Sequence, residues 1–190
     1  MTATTKPTPT GRGMYAGRLS FPGLWKAEAF KPGDDPKFKA TLLIPKNDPQ
    51  VKAIEAKILA VLKEKYPQKA EQMLKSIRGN PNKFCFQDGD TKSYDGYEGM
   101  MALSAKSTSR PLIIGTDRTP LAEEDGKPYA GCYVNMSVDF FVYDSQGVGV
   151  SASLRGVQFV RDGDSFGGGR PADVDEFADV AEGADAGDFA

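Results

Sequence analysis

From Cys132 to Val142 every second residue is apolar: Cys132, Val134, Met136, Val138, Phe140 and Val142 alternate with Tyr133, Asn135, Ser137, Asp139, Phe141 and Tyr143. A period of two marks a strand with one buried face. A second alternating run, Val148, Val150, Ala152 and Leu154, follows a short polar stretch. Three-residue hairpin loops favour a left-handed Gly at their end, which makes Ser145-Gln146-Gly147 the expected loop. That loop sets Val142 against Val150 on the core side. On the outer side it sets Phe141 against Ser151, Asp139 against Ser153 and Ser137 against Arg155. The apolar parity then flips to Val157 and Phe159, which predicts a bulge at Arg155-Gly156. Gly131–Arg161 therefore reads as a long hairpin with a core face and a polar, partly aromatic outer face.

The rest of the chain adds shorter elements. Met1–Gly13 is Thr- and Pro-rich and is expected to be disordered, with structure starting near Tyr15. Tyr15–Phe21 has strand composition, and after a Pro22-Gly23 turn Leu24–Phe30 continues as a second extended piece. Lys37–Ile44 alternates again, Phe38, Ala40, Leu42 and Ile44 inward, Lys37, Lys39 and Thr41 outward. Asp48-Pro49 is a helix start, and Val51, Ile54, Ile58, Val61 and Leu62 fall on one stripe at helical spacing. A weaker helix is expected over Gln68–Ile77, closed by Gly79-Asn80-Pro81. Phe84-Cys85-Phe86 leads into an Asp88-Gly89-Asp90 turn and a polar loop with Tyr94 and Tyr97. Met100–Ser107 is a further strand, and Leu121–Tyr129 a turn region before the hairpin. Strands dominate and no strand–helix alternation recurs. The expected fold is mainly β, a five- to six-stranded β-barrel with an inserted helix and long loops, of the oligonucleotide/oligosaccharide-binding (OB) type. A β-sandwich is the alternative.

Charge divides the chain. Residues 171–190 hold seven acids and no Lys or Arg, so the 24 basic side chains of residues 1–170 face 19 acidic ones, a net of +5 against −2 for the whole chain. The acidic tail has too few large apolar residues to offset its ordering entropy, and with the Gly-rich stretch before it, 162–190 reads as linker plus disordered tail. The expected domain is 14–161. No apolar run approaches the roughly 20 residues of a membrane span, and the first 13 residues lack the apolar centre of a signal peptide. The expected location is the cytoplasm.

The 190 residues contain no histidine and two cysteines, Cys85 and Cys132. Ser–His and Cys–His nucleophile pairs are thereby excluded, as is the usual four-ligand zinc site. No P-loop is present, and Gly167-Gly168-Gly169 opens no helix. No catalytic residue, metal or cofactor is expected. The Asp88–Asp90 and Asp162–Asp164 triplets are turn signals first. A metal-dependent nuclease built on these four aspartates is one rival reading, and a protein-interaction or virion structural module is another.

A basic groove with exposed rings is what sequence-tolerant single-strand binding needs, phosphates on the cations and bases on the rings. The faces above supply candidate rings Trp25, Tyr133, Phe141 and Tyr143, and candidate phosphate contacts Lys37, Lys39, Lys106, Arg110 and Arg155.

The strings GRLSFPGLWKAEAF (Gly17–Phe30), KFKATLLIPK (Lys37–Lys46), DGD (Asp88–Asp90), AGCYVNMSVDFFVYD (Ala130–Asp144) and LRGVQFVRDGDSFGG (Leu154–Gly168), followed by an acidic DEFADV stretch and Asp188-Phe189, stand in the order found in the single-stranded DNA-binding proteins of tailed phages, which this chain resembles. The resemblance implies an OB fold and sequence-independent binding of single-stranded DNA in phage DNA replication or recombination, in the host cytoplasm. It also implies an acidic tail, here with Asp185, Asp188 and Phe189, that recruits replication proteins such as a polymerase, helicase or primase. A homodimer stays open.

Overall fold

A computed structural model describes residues 8–166. It contains seven strands: β1 (Arg12–Glu28), β2 (Lys37–Pro45), β3 (Phe86–Asp88), β4 (Met100–Ser107), β5 (Leu112–Ile114), β6 (Tyr133–Tyr143) and β7 (Gly149–Arg161). Two helices, α1 (Pro49–Lys65) and α2 (Ala70–Ile77), lie between β2 and β3.

Neighbouring strands run in the order β3-β4-β2-β1-β6-β7-β5, and β4 also pairs in parallel with β7 at Lys106 and Ser153. That last pairing closes β1, β2, β4, β7 and β6 into a ring of five. Numbered by chain order, the barrel strands meet as 1-2-3-5-4-1, and this closed Greek-key barrel is the OB fold. Closure rules out the open pair of sheets that a sandwich would require. β3 and β5 are extra strands on the rim.

The hairpin register matches the alternation in the sequence. Val142 pairs with Val150, Phe141 with Ser151 and Asp139 with Ser153. Val138 then pairs with Leu154 but Ser137 with Gly156, so Arg155 is the inserted residue of the bulge and does not face Ser137. Val134, Met136, Val138 and Phe140 from β6 and Val150, Ala152, Leu154 and Val157 from β7 are buried with Leu42, Ile44 and Leu103 in one core. Each buried Val, Leu, Ile, Met or Phe side chain contributes about 1.5–3 kcal/mol by leaving water.

Three details differ from the sequence reading. β1 begins at Arg12, where Gly11 O accepts from Phe140 N (2.9 Å), and it runs through Pro22-Gly23 instead of turning there. Its pairing with β2 shifts register between Ser20 and Gly23, so the break that Pro22 and Gly23 signal is absorbed as an irregularity within one bent strand. β5 falls between Met100–Ser107 and Leu121–Tyr129, where the sequence reading placed no element.

Helix α1 starts as its first residues dictate: Asp48 accepts from Gln50 N at 2.9 Å and Pro49 occupies the first turn. Gln50 also clips the helix to β1, accepting from Ala16 N at 2.7 Å and donating to Ala16 O at 2.9 Å. Ile54, Ile58, Val61 and Leu62 plug the barrel from that side. Among the described residues no helix is long and apolar enough to cross a membrane.

Candidate nucleic-acid interface

The outer faces of β2 and β4 form one wall of an open groove of about 770 Å³. Because β2 and β4 pair in antiparallel register, Lys39 lies opposite Lys106 and Thr41 opposite Ser104, whose hydroxyls are 3.4 Å apart. β7 continues the wall with Ser151 and Ser153, and β6 ends it with Phe141 and Tyr143. Lys37, Lys92, Phe30, Asn82 and Cys85 also line it, together with Phe21, Tyr94 and Tyr97 on the far side. The second and third barrel strands, with the loops after strands one and four, are the surfaces on which OB folds hold oligonucleotides. Here the β1–β2 loop contributes Phe30, 87% exposed.

The aromatic residues stand in two groups at opposite ends of this polar wall. On the hairpin, Phe141 and Tyr143 have ring centroids 6.5 Å apart. Phe141 is 46% exposed, whereas Tyr143 lies over Gly149, a position where any Cβ would strike its ring, and donates to Asn82 O at 2.9 Å. At the other end Phe21, Tyr94 and Tyr97 form a triad: Phe21–Tyr94 at 4.8 Å and Tyr94–Tyr97 at 5.2 Å, both edge to face. Tyr97 is buried and donates to Ser20 Oγ at 3.0 Å, while Phe21 and Tyr94 are half exposed. Phe21 holds φ at +45°, a conformation costly for a residue with a side chain and one that turns its ring out of the β1 pleat.

Four lysines, Lys37, Lys39, Lys92 and Lys106, face the groove. Among the described residues only Lys39 of these four has a carboxylate nearby, Glu28 at 3.8 Å. The groove therefore carries cationic charge available to an anionic chain. Cys85 reaches the same space, and burial pushes its thiol up to about 12, so it stays protonated and unreactive at neutral pH.

Three of the four aspartates of the rival nuclease reading are engaged in structure. Lys46 Nζ pairs with Asp88 at 2.7 Å and with Asp90, Asp88 caps Asp90 N at 2.9 Å, and Asp90 accepts from Gly99 N at 2.8 Å. Asp162 accepts from the Tyr129 hydroxyl at 2.7 Å. Among the described residues no three metal-ligating side chains converge.

Of the residues singled out in the sequence, the groove brings together Lys37, Lys39, Lys106, Phe141 and Tyr143. Trp25 and Arg110 pair with each other instead, the guanidinium carbon 5.2 Å from the indole centroid, beyond the groove-lining Thr108. Arg155 is exposed in the bulge two residues past Ser153. Tyr133 stands at the opposite end of β6 from Tyr143, roughly 30 Å away at strand rise, sandwiched by Arg161 at 3.5 Å and Arg18 at 5.6 Å. Asp185, Asp188 and Phe189 lie outside the described residues, as do 1–7 and the rest of 167–190. Sequence reasoning missed Phe21, Phe30, Lys92, Tyr94 and Tyr97. For Tyr94 and Tyr97 the available signal was two large rings set in an otherwise polar loop.

The chain is similar to known proteins. The profile of the Enterobacter phage Enc34 ssDNA-binding protein family matches residues 14–189. Protein p50 of Acyrthosiphon pisum secondary endosymbiont phage 1 is 49% identical over 166 residues, 86% of this chain and 90% of the relative. The single-stranded DNA-binding protein of bacteriophage Enc34, solved in complex with ssDNA, superposes with a TM-score of 0.70 at 26% identity, covering 83% of this chain and 90% of that one. The single-stranded DNA-binding protein gp2.5 of bacteriophage T7 shares the fold, with a TM-score of 0.50 at 18% identity over 92% of this chain and 100% of that one. A closed five-stranded barrel, a lysine-lined groove with rings at both ends, and a match spanning nearly the whole chain together place this protein in the family of the Enterobacter phage Enc34 ssDNA-binding protein.

Proposed function

We propose that this protein binds single-stranded DNA without sequence preference in the groove between the β2–β4 wall and the β6–β7 hairpin. The observation that carries the reading is the outer face of β2 and β4, where Lys39 and Lys106 lie side by side between two groups of exposed rings. Phosphates meet the lysines and bases stack on Phe141 and Tyr143 at one end and on Phe21 and Tyr94 at the other, each stacked base contributing about 1–3 kcal/mol. Stacking needs only a π-face, so no base-reading code is required, and the protein acts by holding the strand rather than by chemistry.

Family and charge support the biological reading. The protein coats and protects single strands during phage DNA replication or recombination in the host cytoplasm. Its acidic C-terminal segment, with Asp185, Asp188 and Phe189, recruits a polymerase, helicase or primase. The test of binding is retention of labelled oligonucleotide on a filter, single strand against duplex of the same sequence. Preferential retention of the single strand is expected, and equal or no retention refutes the reading. For the tail, a chain ending at Arg170 should recover fewer replication proteins from host extract than the full chain does.

A further inference from the structure

We infer that residues 162–166 form a clasp that holds the aromatic end of the groove from behind, with Phe166 as its positioning residue. The inference rests on the single-strand reading above and deepens it. Phe166 does not line the groove. It packs with Met100 against Leu43, Tyr97 and Ala102, a small cluster separate from the main core. Its ring covers Gly96, which sits at φ +81° and has no room for a Cβ beneath that ring. Gly96 lies between Tyr94 and Tyr97, so the clasp presses on the loop that presents both.

The clasp is itself well tied. Phe166 N donates to Ala130 O at 3.1 Å, and Tyr129, besides donating to Asp162, accepts from Gly163 N at 3.2 Å. Arg18 donates to Asp164 O at 2.7 Å and Gly131 O at 3.1 Å while its guanidinium lies 4.2 Å from the Phe166 ring centroid. A short line of contacts thus runs from Phe166 through Gly96 and Tyr97 to Tyr94 and on to Phe21. An exposed ring on a polar loop stacks well only if the loop is ordered before the base arrives, since ordering it afterwards subtracts from affinity. Phe166 supplies that order without touching the strand.

The experiment compares the full chain with its Phe166→Ala, Phe166→Leu and Phe166→Tyr variants, the second retaining packing volume in case the first does not fold. Affinity is measured for oligo(dT) and for an abasic oligonucleotide of equal length, at several salt concentrations, and the Tyr94 and Tyr97 ring resonances are followed by NMR in the free proteins. The expected result is a loss of roughly three- to tenfold in oligo(dT) affinity with abasic affinity and salt slope unchanged, shifted Tyr94 and Tyr97 resonances, and recovery in Phe166→Tyr. An unchanged ratio of oligo(dT) to abasic affinity, or a parallel fall of both, overturns the clasp. Should the wild type bind neither oligonucleotide, the single-strand reading fails by itself, and the tyrosine resonances still decide the clasp: if they do not move, it is refuted.

Discussion

Lys39 on β2 and Lys106 on β4 lie directly opposite each other on the outer face of the barrel. Like charges in cross-strand register cost stability, and an anion bound between them would relieve that cost. Replacing Lys106 by Gln should lower single-strand affinity and reduce the log–log salt slope by about 0.7, one neutralised phosphate contact. Thermal stability should hold or rise slightly. A variant with an unchanged salt slope would show that Lys106 meets no phosphate.

The two hairpin rings are expected to separate under mutation. Phe141→Ala should cost about 1–3 kcal/mol of binding with little change in melting temperature, because its side chain is half exposed. Tyr143→Ala should cost binding and stability together, since its ring covers Gly149 and its hydroxyl bonds Asn82 O. Tyr143→Phe isolates that hydrogen bond, worth about 0.5–1.5 kcal/mol, and should leave binding intact. Paired calorimetric and anisotropy measurements on the three variants check this.

Phe21 gives a prediction of opposite sign in its two readouts. Its positive φ costs about 1–3 kcal/mol for a residue with a side chain, and the ring is half exposed. Phe21→Gly should therefore not lower the melting temperature, yet it should weaken binding by removing a stacking surface. A fall in stability with binding preserved would assign Phe21 to packing.

The hairpin was legible because period-two alternation runs through both arms and a single parity break marks the bulge at Arg155. Helix α1 was legible for the same kind of reason, a cap followed by a stripe. β5 was not, since Leu112–Ile114 is a three-residue strand whose partner, Gly156–Gln158, is more than 40 positions away in the chain and pairs in parallel. The aromatic triad was illegible on different grounds. Tyr94 and Tyr97 have no periodicity, and they meet Phe21 only because β1 stays extended through Pro22-Gly23 with Phe21 turned outward. Tyr133 and Tyr143 share the outward parity of β6, and parity alone does not say that 11 residues of strand set them at opposite ends. One half of the groove was therefore readable from face patterns, and the half built from loops was not.

Acid should loosen the loop that presents Tyr94 and Tyr97. The hydrogen bonds from Lys46 hold the Asp88 and Asp90 carboxyls below the ordinary carboxylate range, and the same pair raises Lys46. The lowered carboxyls contribute stability above their unfolded value near pH 4 and lose it as pH falls through the lower folded values. Lys46→Met should return both midpoints toward the ordinary range in a carbon-detected NMR titration. Midpoints that stay low in that variant would show that backbone donors alone set them.

The most direct measurement of the central claim is photocrosslinking of an oligonucleotide carrying 5-iodouracil, with the attached residues read by mass spectrometry. Crosslinks should fall on Phe141, Tyr143, Phe21 and Tyr94, and they should weaken when Lys37, Lys39 and Lys106 are replaced together. Crosslinks confined to Tyr133 or Trp25 and indifferent to those lysines would place the strand elsewhere on the barrel and contradict the account.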